Sequence, residues 1–301
     1  MEKSSISWRR TIWGQLCELF LLLILVFLIR TFGFGLYQVP SGSMETTMLV
    51  GERFFADKLT YWFRGPKRGE IIAFNAPTFR YSESTPSRLI EKYVWGPDNW
   101  TKRVIGIPGD HVQGVIEDGK PVIYLNGQKL KEPYLNKYPL VYECKSTGYR
   151  PDMPFGWSLL AEKCPKSYDS TRSFTDQPFS RINEKLLLRD NQGNIKLKYP
   201  DQAQRSPGRM PSGATRFYGN NADEFNVVLG DDEYWLMGDN RRASGDSREW
   251  GPVKRNIIHG RIIFRIWSID SYESWWIVDL FYHPIDFWSR VRWNRFFQVI
   301  H

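Results

Sequence analysis

The sequence predicts a mainly β protein built from short antiparallel strands and preceded by one apolar helix. Short β-type runs recur at regular spacing on both sides of a long polar stretch, which is typical of antiparallel sheets. The dipeptides Asp118-Gly119 and Asn126-Gly127 separate three of these runs and are strong signals for tight hairpin turns. We therefore expect an N-terminal transmembrane helix, an antiparallel β domain and an inserted second lobe.

The first element is an apolar segment over residues 12–36. Its uninterrupted run, Leu19 to Ile29, is too short to span a bilayer alone, because a span needs about 20 mostly apolar residues. Extending the segment upstream reaches that length and places Gln15 and Glu18 near the headgroups. Basic residues precede the segment, so the positive-inside tendency predicts a single pass with a cytoplasmic N-terminus.

Two other interpretations of this segment stay open. A cleaved signal peptide also has a basic start and a short apolar core, and Gly33-Phe34-Gly35 would be a passable cleavage site. A buried core helix fits less well, because the flanks lack amphipathic spacing. The membrane anchor is preferred because the apolar segment extends upstream of its central run.

The β domain comes in two parts that flank a polar insertion. The β-type runs are, in order, 53–59, 70–74, 101–107, 111–116, 122–125, 128–130, 226–229, 233–237 and 260–267. Residues 78–100 are polar and predict an irregular segment, whereas 186–188 and 194–199 form a candidate hairpin within the insertion. The predicted organisation is a cytoplasmic N-terminus (1–11), an anchor (12–36), a first β part (37–138), the insertion or second lobe (139–225), a second β part (226–270) and a C-terminal tail (271–301).

The tail, residues 271–301, combines many aromatic side chains with interspersed arginines. Trp, Tyr and Arg together are typical of a segment that lies at a membrane interface. A terminal helix packed on the domain would have a similar composition, so both interpretations remain open. A second membrane span is disfavoured because the charges interrupt the segment.

The composition of this chain of 301 residues limits the classes of partner and cofactor that can be predicted for it. The net charge is +8, but the basic residues are scattered and accompany no nucleic-acid motif, so we predict attraction to anionic lipid and no nucleic-acid partner. Cys144 and Cys164 lie in the insertion, and their spacing does not decide whether they pair. No Cys/His spacing resembles a metal site, so the sequence predicts neither a metal nor a cofactor.

Ser41 and Ser43 follow the anchor closely and are candidates for serine chemistry. A serine hydroxyl is a weak nucleophile that needs a neighbouring base, and none of the four histidines has a catalytic context. In an extended chain the two hydroxyls would lie on the same side. Ser43 would then attack a carbonyl while the Ser41 hydroxyl and the Ser43 N–H stabilise the oxyanion, a role worth about 10²–10³ in rate per donor.

Lys102 is the candidate base. It begins a β run of otherwise apolar and small residues, and burial on a sheet face lowers the pKa of a lysine from about 10.4. A strand-end lysine that reaches solvent is the competing interpretation. The loop 238–248, rich in Gly, Asp, Asn and Ser, follows a predicted strand and is either a solvated turn or the source of a hydroxyl that orients the lysine amine.

These elements, in this order, resemble the bacterial type I signal peptidases, or leader peptidases, which are membrane-anchored serine proteases with a Ser/Lys dyad. The resemblance covers about 38–138 and 229–268. Four sequence boxes carry it, at 40–44 (PSGSM), 51–77, 102–110 (KRVIGIPGD) and 238–248 (GDNRRASGDSR). Each box alone is moderately specific, whereas the ordered set is highly specific.

The resemblance implies a role for each matching residue. Ser43 would be the nucleophile, Lys102 the general base, Ser41 a part of the oxyanion hole and Ser244 the residue that orients the lysine. The residues implied to support these four are Asp246, Arg248 and Arg103. The residues implied to bind substrate, as a paired strand and as pockets for small Ala-like side chains, are Gln38, Val39, Pro40, Met44 and Met48.

The resemblance further implies cleavage of preprotein signal peptides at the outer, periplasmic side of the bacterial inner membrane, close to the export translocon. Thr46 and Met48 depart from the proline and leucine usual in the family, which leaves the turn of the nucleophile less constrained. Two alternatives therefore stay open. One is a Ser/Lys protease dedicated to a single precursor, and the other is a catalytically silent, membrane-anchored β domain that binds extended peptides.

Overall fold

The N-terminal helix stands apart from the rest of the chain in this computed structural model. The structure describes residues 3–94, 96–143, 164–179, 181–197, 223–271 and 276–300. Helix α1 (Lys3–Leu28) continues into a π-helical turn, Ile29–Gly33. Within it, Ile12–Gly33 has a mean hydropathy of 2.5 and is not buried by the domain. Its 22 residues span about 33 Å, so its length and composition fit a membrane anchor.

The remainder is mainly β, and every described strand pairing is antiparallel, as the sequence predicts. The strands of the first β part are β1 (Phe34–Gln38), β2 (Arg53–Asp57), β3 (Ile71–Asn75), β4 (Asn99–Gly106), β5 (His111–Glu117), β6 (Lys120–Leu125) and β7 (Gln128–Lys129). The later strands are β8 (Leu140–Glu143), β9 (Cys164–Ser167), β10 (Phe225–Val228), β11 (Glu233–Met237), β12 (Val253–Lys254), β13 (Ile258–Trp267) and β14 (Gln298–Val299).

The strands form one large and two small sheets. The large sheet has the order β1-β2-β13-β3-β4-β11-β12, and β14 adds to β13. A second sheet has the order β10-β5-β6-β7, and β8 pairs with β9 in the inserted region. The two parts of the β domain therefore interleave, because β11 and β13 from the second part pair with β4 and β3 from the first.

Apolar side chains of the large and second sheets pack together. Trp235 on β11 is fully buried and lies 4.9 Å, ring to ring, from Phe225 on β10. In another buried cluster, Phe74 on β3 and Val104 on β4 pack with Val253 on β12, the last strand of the large sheet. Burial of each large apolar side chain contributes about 1.5–3 kcal/mol. This packing holds β4 and β11 of the large sheet against the second sheet.

The prediction of an irregular segment over 78–100 is wrong for its central part. Residues Thr85–Tyr93 form helix α3, which begins after Ser84 and has a proline in its first turn. Proline is favoured there because its missing N–H has no partner to lose. A shorter helix, α2, spans Thr60–Phe63. Neither helix carries a residue of the predicted site.

The inserted region forms a small cluster of its own. Val141 on β8 packs with Ile182 and Leu187, and residues 189 and 195 form a bridge within the predicted hairpin 186–199. Cys144 lies outside the described residues, so the open question of whether it pairs with Cys164 lies outside them as well.

The tail packs against the domain at several points. Helices α4 (Trp276–Tyr282) and α5 (Pro284–Ser289) precede β14, and Phe287 is fully buried with Ile269 and Val291. Ile285, in contrast, is 89% exposed. Packing of the tail is therefore observed, and contact with lipid remains a prediction.

Candidate active site

The serine turn, Gly42–Met44, follows β1 and is a single turn of 3-10 helix. The extended conformation expected for this stretch is present only up to Ser41, because the chain turns immediately after it. The two hydroxyls nevertheless meet, with the Ser41 Oγ 3.4 Å from the Ser43 Oγ. Ser43 is buried, and its neighbour Met44 packs into the apolar cluster beneath the turn.

Lys102 reaches the serine turn from β4. This strand lies between β3 and β11, so its side chains are held on both sides by paired neighbours. The Lys102 Nζ lies 2.8 Å from the Ser43 Oγ, within hydrogen-bond distance. The lysine is only 5% exposed, which rules out the interpretation of a strand-end lysine in solvent.

The loop after β11 closes the site from the third side. Ser244 is fully buried and packs against Gly238, since a Cβ added to Gly238 would lie 2.2 Å from the Ser244 Oγ. The same added Cβ would lie 2.5 Å from the carbonyl oxygen of Ser43. Gly238, Ser244 and Ser43 are therefore in direct contact, and the glycine leaves the room that this contact needs.

Asp246 and Arg248 brace this loop from behind. Asp246 accepts hydrogen bonds from the Gly238 N–H at 3.0 Å and from the Arg248 Nε at 2.7 Å. The guanidinium of Arg248 also pairs with Asp223 at 2.5 Å. Burial by itself would lower the pKa of Arg248, but the carboxylates of Asp246 and Asp223 outweigh it and raise the pKa above its already high value, so the guanidinium stays charged.

Arg103 and Asp239 form a buried ion pair beside the site. Two nitrogens of Arg103 lie 2.8 Å from the two carboxylate oxygens of Asp239, and both side chains are 2% exposed or less. Thr47 donates to the same carboxylate at 2.5 Å. The sequence analysis missed the role of Asp239. An arginine inside an apolar β run was the available signal, because a buried guanidinium requires an anionic partner.

Asn240 is a second residue that the sequence analysis missed. Its backbone N–H donates to the Ser43 carbonyl at 3.0 Å, and its Nδ2 donates to the Gly42 carbonyl at 3.0 Å. The loop after β11 thus holds the backbone of the serine turn directly. No local pattern around Asn240 reveals this, since its partners lie almost 200 residues away.

The residues predicted to bind substrate lie at one edge of the site. Gln38 ends β1, which pairs on one side with β2 and is the edge strand of the large sheet. Val39 exchanges backbone hydrogen bonds with Glu52 and Gly51. Val39, Met44 and Met48 are buried in one apolar cluster, whereas Pro40 is exposed.

Comparison with known proteins assigns the family. The profile of "Signal peptidase, peptidase S26" matches residues 12–267. The chain belongs to this family. It is 25% identical over 277 residues to signal peptidase I of Buchnera aphidicola subsp. Acyrthosiphon pisum, a match that covers 87% of this chain and 77% of the relative. It is 28% identical over 257 residues to signal peptidase I of Aquifex aeolicus, with 82% and 81% covered.

A solved signal peptidase I from Enterococcus faecalis superposes with a TM-score of 0.28 at 18% identity, over 66% of this chain and 97% of the other. Membership of peptidase family S26 makes the chain a serine hydrolase that acts as a signal peptidase, and its apolar N-terminal helix fits a membrane anchor. Among the described residues, no group of three or more His, Cys, Asp or Glu side chains could hold a metal ion.

Proposed function

We propose that this signal peptidase cleaves preproteins with Ser43 as the nucleophile and Lys102 as the general base. The observation that supports this pairing most directly is the distance of 2.8 Å between the Lys102 Nζ and the Ser43 Oγ in a buried setting. Burial disfavours the ammonium form of a lysine, so the amine is available as a base near neutral pH.

In the proposed mechanism, the Lys102 amine takes the Ser43 proton as the Ser43 Oγ attacks the scissile carbonyl. The ammonium then gives this proton to the leaving amine, and the C–N bond breaks to leave an acyl-enzyme. Water, activated by the same lysine, attacks the ester and releases the signal peptide with a free carboxylate. The Ser43 hydroxyl is regenerated, and no external proton donor is consumed.

The neighbouring residues support these steps. We assign the Ser41 hydroxyl and the Ser43 N–H to the oxyanion hole, because the Ser41 Oγ lies 3.4 Å from the attacking oxygen. We assign to Ser244, which is buried against Gly238 and the Ser43 carbonyl, the role of orienting the lysine. The ion pairs of Asp246, Arg248 and Arg103 hold the strands and loop that carry these groups.

The substrate pairs with the edge strand. Because Val39 directs its backbone hydrogen bonds toward β2, the backbone groups of Gln38 face the free edge, where an extended peptide adds as a strand. Pro40 continues this edge. Val39, Met44 and Met48 limit the space beneath it, so small Ala-like side chains are accepted at the first and third positions before the cut.

The anchor sets the height of the site above the membrane. Ser43 follows the end of the candidate span, Gly33, by only ten residues. From the basic residues before the span we infer a cytoplasmic N-terminus and a catalytic domain on the periplasmic side of the inner membrane. Protease added to spheroplasts is expected to digest the domain and to leave an N-terminal tag intact; a digested tag would reverse this orientation.

Substitution of the dyad tests the chemistry. Ser43→Ala and Lys102→Met should each abolish cleavage of a purified preprotein, and Lys102→Arg should be equally inactive because a guanidinium is not a base near neutral pH. The matched controls are Ser173→Ala and Lys129→Met, two exposed residues with carboxylate partners, which should cleave normally. Substantial cleavage by either dyad variant would refute the assignment.

The range of substrates is tested separately. Several unrelated preproteins with small residues before the cut are expected to be processed at comparable rates. Cleavage of one precursor alone would favour the dedicated processing protease. Covalent labelling of Ser43 by a serine-reactive penem is expected as well, and its absence would favour a peptide-binding domain without catalytic activity.

A further inference from the structure

Glu45 is a buried acid that touches the serine turn from below. It is 4% exposed, and its backbone N–H donates to the Gly42 carbonyl at 3.2 Å. A Cβ added to Gly42 would lie 3.0–3.1 Å from the carboxyl atoms of Glu45. The carboxyl group therefore lies directly against the backbone that precedes Ser43, although the proposed chemistry does not use it.

The partner of Glu45 comes from the inserted second lobe. The hydroxyl of Ser167, at the end of β9, donates to the Glu45 Oε2 at 2.8 Å. The Ser167 oxygen accepts in turn from the Asn136 Nδ2 at 2.6 Å. Ser167 is 1% exposed, so this contact is shielded from water. A hydroxyl that accepts from an amide directs its own hydrogen elsewhere, and here that hydrogen points to the carboxyl of Glu45.

Asn240 closes the network around the turn. Its Nδ2 donates to the Gly42 carbonyl at 3.0 Å and lies 3.4 Å from the Ser167 Oγ. Its backbone N–H donates to the carbonyl of Ser43. The backbone of the nucleophile is thus held by the loop after β11 and, through Glu45, by the inserted lobe.

We propose that Glu45 and Ser167 are positioning residues that couple the inserted lobe to the nucleophile Ser43. The inference rests on the proposed function, since it requires that Ser43 is the attacking group. It assigns a task to β9 for which the sequence analysis had no interpretation. The carboxylate is the form that holds the turn, because the chain of donors from Asn136 through Ser167 ends on it.

The charges around Glu45 make this contact sensitive to pH. The pKa of Glu45 is raised from its ordinary 4.5 to about 7, chiefly by burial and to a smaller extent by Asp270. The hydrogen bond from Ser167 and the charges of Arg292 and Lys166 act in the opposite direction. Loss of the Ser167 hydroxyl should therefore raise the pKa of Glu45 and reduce the fraction of carboxylate at neutral pH.

Steady-state kinetics of the full chain in detergent test the coupling. Ser167→Ala and Glu45→Ala should each lower kcat on the order of 10-fold, with KM for a preprotein changed less than about twofold, because one hydrogen bond to a charged group is lost. The double variant should be no slower than the slower single variant. Glu45→Gln has the shape of the protonated acid and no charge, so it should lower kcat at neutral pH as well, and Ser173→Ala is the control within the lobe.

The pH profile separates positioning from a general loss of structure. Ser167→Ala should move the acidic limb of kcat to higher pH when Glu45 is present. In the Glu45→Gln background the same substitution should leave the limb unmoved, because no titrating group remains at that position. Thermal unfolding, measured in parallel, verifies that each variant is folded.

Two results would overturn the coupling: kcat indistinguishable from the wild type in both alanine variants, or a shift by Ser167→Ala that persists in the Glu45→Gln background. The Ser43→Ala variant, assayed in the same series, keeps the two proposals apart. An inactive Ser43→Ala beside normal Ser167→Ala and Glu45→Ala rejects the coupling alone, whereas an active Ser43→Ala rejects the proposed function itself.

Discussion

Gly238 shows how closely the three chain segments of the site approach one another. It follows β11 at the point where the Ser244 hydroxyl and the Ser43 carbonyl meet. Any side chain there would occupy the space of both groups. A glycine is therefore needed at position 238, because a Cβ there would clash with the backbone of the reacting serine.

We predict that Gly238→Ala nearly abolishes cleavage. Its Cβ would meet the Ser43 carbonyl at 2.5 Å, and this backbone contact is relieved only by moving the nucleophile. A displacement of about 1 Å lowers a catalytic rate on the order of 100-fold. The comparison is Gly14→Ala, in α1, where the added methyl meets nothing within 4 Å and normal activity is expected. A wild-type kcat for Gly238→Ala would contradict the prediction, because it would show that the serine turn accommodates the added methyl group without loss of rate.

At the scale of elements, the tail and the chain that follows the serine turn share one buried acid. Glu52, which is fully buried, accepts from the Leu49 N–H at 2.9 Å and from the Ser268 hydroxyl at 2.8 Å. It also pairs with Arg265 on β13 and with Arg295 in the tail, at 3.0 and 2.6 Å. Glu52 therefore joins the chain after the serine turn, β13 and the segment that leads into β14.

Substitution of this acid should destabilise the fold more than any exposed ion pair does. Glu52→Gln leaves Arg265 buried without its anion, and such a change lowers the free energy of unfolding by about 3–5 kcal/mol. The exposed pair of Glu117 and Lys129 provides the control, and Glu117→Gln should leave the stability almost unchanged, because solvent screens this pair. Denaturant unfolding of both variants measures the difference, and equal midpoints would contradict the prediction.

For the whole molecule, the titrations of Glu45 and His259 act in opposite directions on the pH dependence of stability. The pKa of Glu45 is raised from its ordinary 4.5 to about 7 by burial, so the folded state binds a proton that the unfolded state has released, and stability falls as pH rises through this window. The pKa of His259 is lowered from 6.5 to about 4 by burial and by Lys58, so stability falls as pH drops through that range.

Variants of these two residues should therefore change stability in opposite directions with pH. Relative to the wild type, Glu45→Gln should gain up to about 3 kcal/mol between about pH 4.5 and pH 8, where the wild type must bury a carboxylate. His259→Gln should instead gain relative stability on acidification from about pH 6.5 to pH 4. Unfolding curves at several pH values measure both trends, and parallel curves for wild type and variants would exclude these assignments.

The family, the anchor and the β pattern were within reach of sequence analysis because each depends on local information. Hairpin dipeptides, an apolar run and the ordered boxes around Ser43 and Lys102 can all be identified without knowing the fold. The helix Thr85–Tyr93 was missed because its sequence is polar overall, and it carries only a narrow apolar face. The strands around it were predicted to within a few residues.

The contacts that hold the site could not be predicted in this way. Asp239 meets Arg103, and Ser167 meets Glu45, across more than 100 residues of chain. A polar residue in a loop has the same local sequence whether it faces solvent or a buried charge. Its partner is determined only when the sheets pack and exclude water.

The sequence by itself thus determined a membrane-anchored, mainly β signal peptidase and the two residue types for its chemistry, since these depend on composition, local patterns and motif order. Only the tertiary structure decided that the Lys102 amine lies 2.8 Å from the Ser43 hydroxyl and that Asn240 and Glu45 hold the serine turn. The physical reason is that hydrogen bonds between distant segments depend on distance and burial, and both arise from the pairing of β4 with β11 and from the packing of the inserted lobe.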